Sequence, residues 1–261
     1  MHPFIFRTYF FSLPSYGLMV ALGYLAGIWF VFRRAQAANL KKEALSDLIF
    51  YSVLGGMLGA KLFYAATYWG VLTGGPWAKL AYLLRTFQYG FVFYGGLAGG
   101  SAAFLLSAHR LRVPPLRAAD LFSPALALGH AFGRVGCFLA GCCHGSPSGR
   151  WPGVVFTDPA CETSPALLGV PLHPVQLYEA AGNLLIFFLL AAALRGGRKP
   201  GFVLAFYCGL YSVQRFLLEF LRGDDRGSAA LGLSPGQLLS LPLAAAAAFA
   251  CYRLRSKDEK D

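Results

Sequence analysis

The sequence predicts an all-α, polytopic membrane protein of about seven transmembrane helices with a small outward-facing cap. Three observations predict it. Of 261 residues, 56% are hydrophobic and 13% charged, where soluble globular chains are about a quarter charged; the mean hydropathy is +0.52. Apolar windows long enough to cross a hydrocarbon core recur along the chain. The basic residues, which leave a net charge of +11, gather in clusters between those windows.

The windows fall near residues 15–32, 46–68, 88–108, 118–133, 176–194, 201–221 and 235–252. The first is expected to stay in the membrane: no basic stretch precedes it and no small-residue cleavage site follows. Arg33, Arg34, Lys41 and Lys42 follow the first window. Arg110, Arg112 and Arg117 separate the third and fourth, and Arg195, Arg198 and Lys199 the fifth and sixth. Arg253, Arg255, Lys257 and Lys260 follow the seventh. Seven crossings put all four clusters on one side, the cytoplasmic one by the positive-inside rule. The N-terminus then faces out and the C-terminus in. Charge so placed sets topology and meets anionic headgroups; nucleic acid is not expected as a partner. Residues 1–261 read as a single membrane-embedded domain.

Between the windows, 133–175 is the longest connection, rich in Gly, Pro, Ser and Cys. Trp151, Val154, Val155, Phe156 and Leu167–Val170 make it too apolar for a solvated linker, so a small outward cap is expected there. Residues 69–87, with Trp69, Trp77 and Tyr82, read as an interfacial segment with aromatic anchors. Gly55, Gly56 and Gly59, then Gly95, Gly96, Gly99 and Gly100, permit close helix approach. Tyr94-Gly-Gly could also leave backbone groups open to a ligand. Lys61 is a cation among small residues, either buried or snorkelling.

Charge inside apolar windows is the strongest functional signal. Arg134 ends one, in His130-Ala-Phe-Gly-Arg-Val-Gly-Cys-Phe, and Arg215 lies inside another. An arginine at mid-membrane costs about 2.5–3.5 kcal/mol on insertion scales, so it is a functional-site hypothesis by default. Guanidinium also grips phosphate with paired donors, and two such groups in lipid point to a phospholipid headgroup. Arg215, Glu219 and Arg222 fall on one helical strip at i, i+4 and i+7. Arg215 and Glu219 could merely satisfy each other. His173, Gln176, Tyr178 and Glu179 open the fifth window with an unusual polar set, for which helix capping is the competing reading.

Of the six cysteines, Cys208 and Cys251 lie in apolar windows and read as packing residues. Cys137, Cys142, Cys143 and Cys161 lie in or beside the outward connection. A disulfide from Cys142 or Cys143 to Cys161 is the leading expectation. Zinc on Cys137, Cys142 and His144 fits no standard spacing, and neither metal nor other cofactor is expected. A reactive thiol beside arginine is the third reading.

These residues together resemble the prolipoprotein diacylglyceryl transferase family, in order and over most of the chain. Tyr16-Gly-Leu-Met, Gly59-Ala-Lys-Leu-Phe-Tyr and Phe93-Tyr-Gly-Gly-Leu resemble its first three span motifs. Gly133-Arg-Val-Gly-Cys-Phe, followed by Gly141 and Gly145, is similar to its Gly-Arg-x-Gly-Asn-Phe signature. His173-Pro-Val-Gln-Leu-Tyr-Glu is close to diagnostic. Arg215-Phe-Leu-Leu-Glu-Phe-Leu-Arg, then Asp225 and Gly236-Gln-Leu-Leu-Ser, resemble its closing segment.

The resemblance implies transfer of the diacylglyceryl group of phosphatidylglycerol to the lipobox cysteine of a prolipoprotein signal peptide, at a bacterial inner membrane. It implies Arg134, Arg215, Tyr94 and Glu219 as catalytic. Tyr16, Gly95, Gly96, Cys137, Gly145, His173, Gln176, Tyr178 and Arg222 would bind substrate. Three positions depart from the pattern: Tyr94 replaces a histidine, Cys137 the signature asparagine and Cys142 an acidic residue. Tyrosine, with an ordinary pKa of about 10, is a poor base, so the thiol proton would go to His130, His144 or Glu219, or the reaction would start from thiolate already present. A paralogue with another acceptor or lipid, a non-catalytic lipid-binding protein, a small-molecule transporter and a thiol–disulfide enzyme are the competing readings. The transporter lacks an internal repeat, and the thiol–disulfide enzyme lacks a Cys-x-x-Cys.

Overall fold

A computed structural model describes residues 2–8, 12–86, 90–149, 152–223 and 232–255. Phe87, Trp151, Asp225, Lys257 and Lys260, used above, lie outside the described residues. The chain is mostly helical. The helices are α1 (Ser15–Arg34), α2 (Lys42–Tyr68), α3 (Pro76–Arg85), α4 (Phe93–Arg110), α5 (Pro115–Ala140), α6 (Val175–Ala193), α7 (Phe202–Glu219) and α8 (Pro235–Leu254). Two small antiparallel pairs join them: β1 (Phe4–Arg7) with β2 (Ser12–Pro14), and β3 (Val154–Val155) with β4 (Pro171–Leu172).

Each of the seven apolar windows falls largely on a helix, and α3 is additional. Among the described residues, four helical segments are long and apolar enough to cross a membrane: α1, α2, α6 with its 3-10 extension, and α8. The protein is therefore a multi-pass membrane protein. The expectation of about seven crossings exceeds that number by three helices: α5 carries Arg117, Asp120 and Arg134, α7 carries Arg215 and Glu219, and α4 is rich in glycine and ends in His109-Arg110.

Contacts divide the chain into two compact units, Met1–Arg34 with Ala119–Asp261, and Ala35–Ala118. The second holds α2, α3 and α4. Its seam is made of glycine: a Cβ on Gly59 would meet the Gly99 Cα at 2.8 Å, and one on Gly99 would meet the Gly59 Cα at 2.9 Å. Only hydrogen fits at that approach. Lys61 is buried; its Nζ donates to the Thr86 carbonyl at 2.9 Å and lies over the rings of Tyr64 and Phe91. It does not snorkel. The stretch expected to be an interfacial loop contains α3, started by Pro76 at a position where the missing N–H costs nothing. Trp77, Leu80, Tyr82 and Leu84 are exposed on it.

The first unit packs α1, α5, α6, α7 and α8. Gly23 and Gly27 let α1 approach α5: a Cβ on Gly23 would meet the Phe132 Cβ at 2.8 Å. Ala127, Ile186, Leu190, Phe202 and Val203 form the apolar cluster joining α5, α6 and α7. Buried Asp120 caps α7 from α5, its Oδ2 accepting from Gly201 N at 2.7 Å and Oδ1 from Leu204 N at 2.8 Å. That satisfies donors a helix start leaves open. Such a cap spans elements far apart in sequence, so no local motif announces it.

Candidate active site

Helix α5 runs on to Ala140, past the expected start of the outward connection at 133. Arg134 and Cys137 are thus helical residues and do not begin a loop, because Val135–Ala140 continues the helix-compatible pattern until Gly141, at φ 81°, turns the chain. The connection beyond it folds on a cluster of its own: Phe156, Cys161 and Leu172 are buried, with Phe138, Leu167, Leu168 and Val170 packed round them.

Arg134 is 17% exposed, and its Nη2 lies 3.0 Å from Oε1 of Glu179, which is 2% exposed. Its Nε donates to His130 Nε2 at 3.3 Å, a role that needs that nitrogen unprotonated. The same nitrogen is 3.4 Å from Glu179 Oε1; having accepted from arginine, it gives the carboxylate no hydrogen bond. Asn183 Nδ2 and Gln214 Nε2 donate to the Glu179 carbonyl at 2.8 and 3.0 Å. Gln214 can do so because Gly182 has no side chain; a Cβ there would meet Gln214 Cδ at 2.7 Å.

Arg215 Nη2 meets Glu219 Oε2 at 2.7 Å, and both are largely buried. Glu219 Oε1 also accepts from the Ser234 hydroxyl at 2.7 Å. Gly236 lies against this pair, since a Cβ on it would meet Arg215 Nη2 and Glu219 Oε1 at 3.2 Å. Arg215 Nη1 is buried and has no hydrogen-bond partner among the described residues. A buried guanidinium nitrogen without a partner is an unmet demand for an acceptor. Tyr211, one turn before Arg215, stacks obliquely on His130 with ring centroids 5.3 Å apart. It lies in the field of Arg134, Arg215, Arg222 and Glu179. The two arginine pairs thus converge on one region, with His130 and Tyr211 between them.

Arg222 is not on the helical strip with Arg215 and Glu219. Helix α7 ends at Glu219, and Arg222 forms an isolated β-bridge with Gly145. Ser146 N donates to Leu221 O at 2.9 Å, and Gly145 N to His173 O at 2.8 Å. Gly145 sits where three chain segments meet: a Cβ would come within 2.6 Å of Leu221 O and 2.7 Å of His173 Cβ. This junction ties the connection after α5, the start of α6 and the end of α7 together.

Gln176 is fully buried; its Nε2 donates to Cys142 O at 2.7 Å, and its Oε1 has no partner among the described residues. His173 Nδ1 is likewise buried and unpartnered. Tyr178 is half-buried in the first turn of α6. Tyr16 packs on α5 at Gly136, where a Cβ would meet its Cδ2 at 3.1 Å, and lies near Arg134, Cys137 and Cys142. Tyr94, Gly95 and Gly96 belong to the other unit. Gly95 and Gly96 face α2 across the glycine seam. Tyr94 is exposed on the first turn of α4, its ring edge-on to Phe93 at 5.7 Å.

The cysteines correct the disulfide expectation. All six are free, and Cys161 is buried with Phe156 and Leu172. The thiols of Cys137, Cys142 and Cys143 instead lie within 4.8 Å of one another. The cause is local: Cys143, at φ 60°, joins Cys137 and Cys142 at the end of α5. Hydrogen bonds from Cys137 and Cys142, then the charges of Arg134 and Arg222, hold the Cys143 thiol well below its ordinary pKa.

The model of the family described as prolipoprotein diacylglyceryl transferase matches residues 3–253. The chain belongs to this family. Among related proteins, one from Clostridium tetani is 34% identical over 241 residues, covering 92% of this chain and 93% of its own length. One from Bordetella avium is 38% identical over 240 residues, covering 89% and 86%. One from Pseudoalteromonas atlantica is 32% identical over 249 residues, covering 92% and 85%. All three are named phosphatidylglycerol–prolipoprotein diacylglyceryl transferase. Membership makes the chain a transferase of lipoprotein biosynthesis. Sequence reading singled out the arginines; it missed the Glu179 counter-ion role, Tyr211, Gln214 and Ser234. Of these only Ser234 carried a local signal, Ser-Pro-Gly-Gln, which matches the capping-box spacing.

Proposed function

We propose that the protein transfers the diacylglyceryl group of phosphatidylglycerol to the lipobox cysteine thiol of a prolipoprotein signal peptide. The cysteine sulfur forms a bond to the glycerol carbon, the carbon–oxygen bond to phosphate breaks, and glycerol phosphate leaves with the electron pair. The observation that carries this reading is the pair of buried arginines, each fixed by a carboxylate, in a member of this family. In a water-poor site, guanidinium donors already aimed at the phosphate stabilise the charge that builds on it without reorganising. Glu179 and Glu219 act as positioning residues. Arg222 and Gln176 hold the headgroup region, and Tyr16, Gly145, His173 and Tyr178 shape the site.

His144 is the best base of the three considered. Its Nδ1 lies 3.0 Å from Gly145 O; a carbonyl only accepts, so Nδ1 carries the hydrogen and Nε2 keeps its lone pair. Glu219 is engaged by Arg215 and Ser234, and His130 Nε2 by Arg134. Tyr94 donates a hydrogen bond to substrate, so Tyr94→Phe lowers turnover in part and Tyr94→His is tolerated. A silent phenylalanine variant with a dead histidine variant would exclude that role. Seven helices cross a bacterial inner membrane, N-terminus outside and C-terminus cytoplasmic, as the basic clusters favour.

Purified protein given phosphatidylglycerol and a lipobox peptide is expected to release glycerol phosphate and form a thioether-linked peptide. Binding of the lipid without either product would overturn the transferase reading for this chain.

A further inference from the structure

Two of the three departures from the family's pattern, Cys137 and Cys142, meet a third thiol in space. The sulfurs of Cys137, Cys142 and Cys143 lie within 4.8 Å of one another, and none is bridged. This is more than a crowding of small residues, because the backbone is built to bring them together. Gly141 N and Cys142 N both donate to Cys137 O, at 3.0 and 3.1 Å, closing the last turn of α5. Gln176 Nε2 holds the Cys142 carbonyl from α6 at 2.7 Å. Cys143 takes the left-handed conformation at φ 60°, which for a residue with a side chain costs on the order of 1 kcal/mol or more and persists where surrounding structure imposes it.

The spacing and the surroundings suit a soft metal ion. At about 2.3 Å from each sulfur, an ion in trigonal or tetrahedral geometry holds its sulfurs roughly 3.8–4 Å apart, so a shift of less than about 1 Å from the 4.8 Å bound completes the set. Three thiolates carry more negative charge than one such ion neutralises. Arg134 lies in the field of Cys137 and Cys143, and Arg222 in that of Cys143, which offsets the excess. Thiolate donors select the thiophilic metals.

We propose that Cys137, Cys142 and Cys143 form a three-thiolate site for a thiophilic ion, Zn2+ or Cu+. Binding exchanges protons for metal: every sulfur still protonated gives its proton to solvent, three sulfur–metal bonds form, and no electron is transferred. The site stands whether or not the chain transfers diacylglyceryl groups, and its test does not use that activity.

The full-length protein in detergent, reduced and stripped with a chelator, is titrated separately with Zn2+ and with chelator-buffered Cu+. One equivalent of at least one ion is expected, with an X-ray absorption shell of three sulfurs near 2.3 Å. Bound metal should protect three of the six thiols from alkylation and raise the unfolding temperature, as any ligand of the native state does. Cys143→Ser should weaken binding a hundred-fold or more, whereas Cys208→Ser should not. Metal-free Cys143→Ser should unfold at the wild-type temperature, which excludes misfolding as the cause; the sulfur shell and alkylation arms need no variant. Absence of an ion beyond that held by the triple serine variant at 137, 142 and 143 overturns the proposal. So does a disulfide among the three with no metal uptake after its reduction, which would make them a redox pair.

Discussion

The two buried arginine–glutamate pairs are built in opposite ways. Arg215 and Glu219 lie one turn apart on α7 and meet at 2.7 Å; their pairing follows from helix geometry alone. Arg134 and Glu179 come from α5 and α6 and meet at 3.0 Å only when those helices have packed. The first pair is a local device that other elements then touch, through Ser234 and Gly236. The second is a tertiary clamp, and its carboxylate is the more buried of the two, at 2% against 6%. A guanidinium held from its own helix is aimed wherever that helix goes. One held from a neighbour is aimed by the interface, so its direction depends on packing at Gly182 and on Gln214.

The largest expected effects test whether both guanidinium groups serve the same chemistry. Arg134→Ala and Arg215→Ala should each lower diacylglyceryl transfer by roughly a hundred- to a thousand-fold, the usual cost of removing one preorganised donor to developing charge. Lysine should restore only part, lacking the planar fork. Turnover measured on membrane-inserted protein decides it: near-normal activity in either alanine variant removes that arginine from the reaction.

The next effect separates clamp from local pair by stability. Removing one partner of a buried ion pair leaves an unpaired charge and costs about 3–5 kcal/mol. Glu179→Ala should approach that value, because Arg134 then has no other carboxylate among the described residues within ion-pair distance and the α5–α6 tie is lost. Glu219→Ala should cost less, since that pair forms within one helix and only the Ser234 hydroxyl contact is lost with it. Thermal unfolding in detergent compares them. Equal losses would mean that the tertiary origin of the Arg134 pair carries no extra stability.

This contrast also explains what was legible in the sequence. The length of the apolar windows located a helix at every one of them, and charge inside those windows picked out Arg134 and Arg215. The i, i+4 relation even named Glu219 as a partner. Glu179 was visible only as part of a polar set at the start of α6, because nothing in a linear string says which residue will face Arg134. The same limit hid Asp120 as the cap of α7 and the thiol cluster, whose third member depends on a left-handed backbone at Cys143. Arg222 was misplaced for a different reason. The helical strip continues past Glu219 on paper, but the bridge to Gly145 competes for that backbone and ends the helix.

Gly145 offers a sharper test of that junction. A Cβ on it would lie 2.6 Å from Leu221 O, and backbone cannot move aside as a flexible side chain can. Gly145→Ala should destabilise the protein by about 1–3 kcal/mol, the range seen when an extra methyl is forced into packed surroundings, and reduce transfer several-fold by shifting Arg222. Gly149→Ala, with nothing within 4 Å of the added carbon, should stay within about 0.5 kcal/mol of wild type. Matching losses in the two variants would remove the bridge from the account.

The smallest effect concerns Ser234, whose hydroxyl does two things at once. It accepts from Gln237 N at 3.2 Å as the cap of α8, while Gln237 Oε1 accepts from Ser234 N at 3.0 Å. It also donates to Glu219 at 2.7 Å. Alanine removes both interactions and should cost about 0.5–2 kcal/mol, whereas glycine at a cap costs only a few tenths. The two variants lose the tie to Glu219 equally. If that tie positions Arg215, Ser234→Gly should lower kcat two- to five-fold at nearly wild-type stability, leave KM for phosphatidylglycerol almost unchanged, and be rescued by Ser234→Thr. A glycine variant with wild-type kcat would confine Ser234 to capping, leaving Glu219 held by Arg215 alone and the local pair as self-contained as its spacing implies.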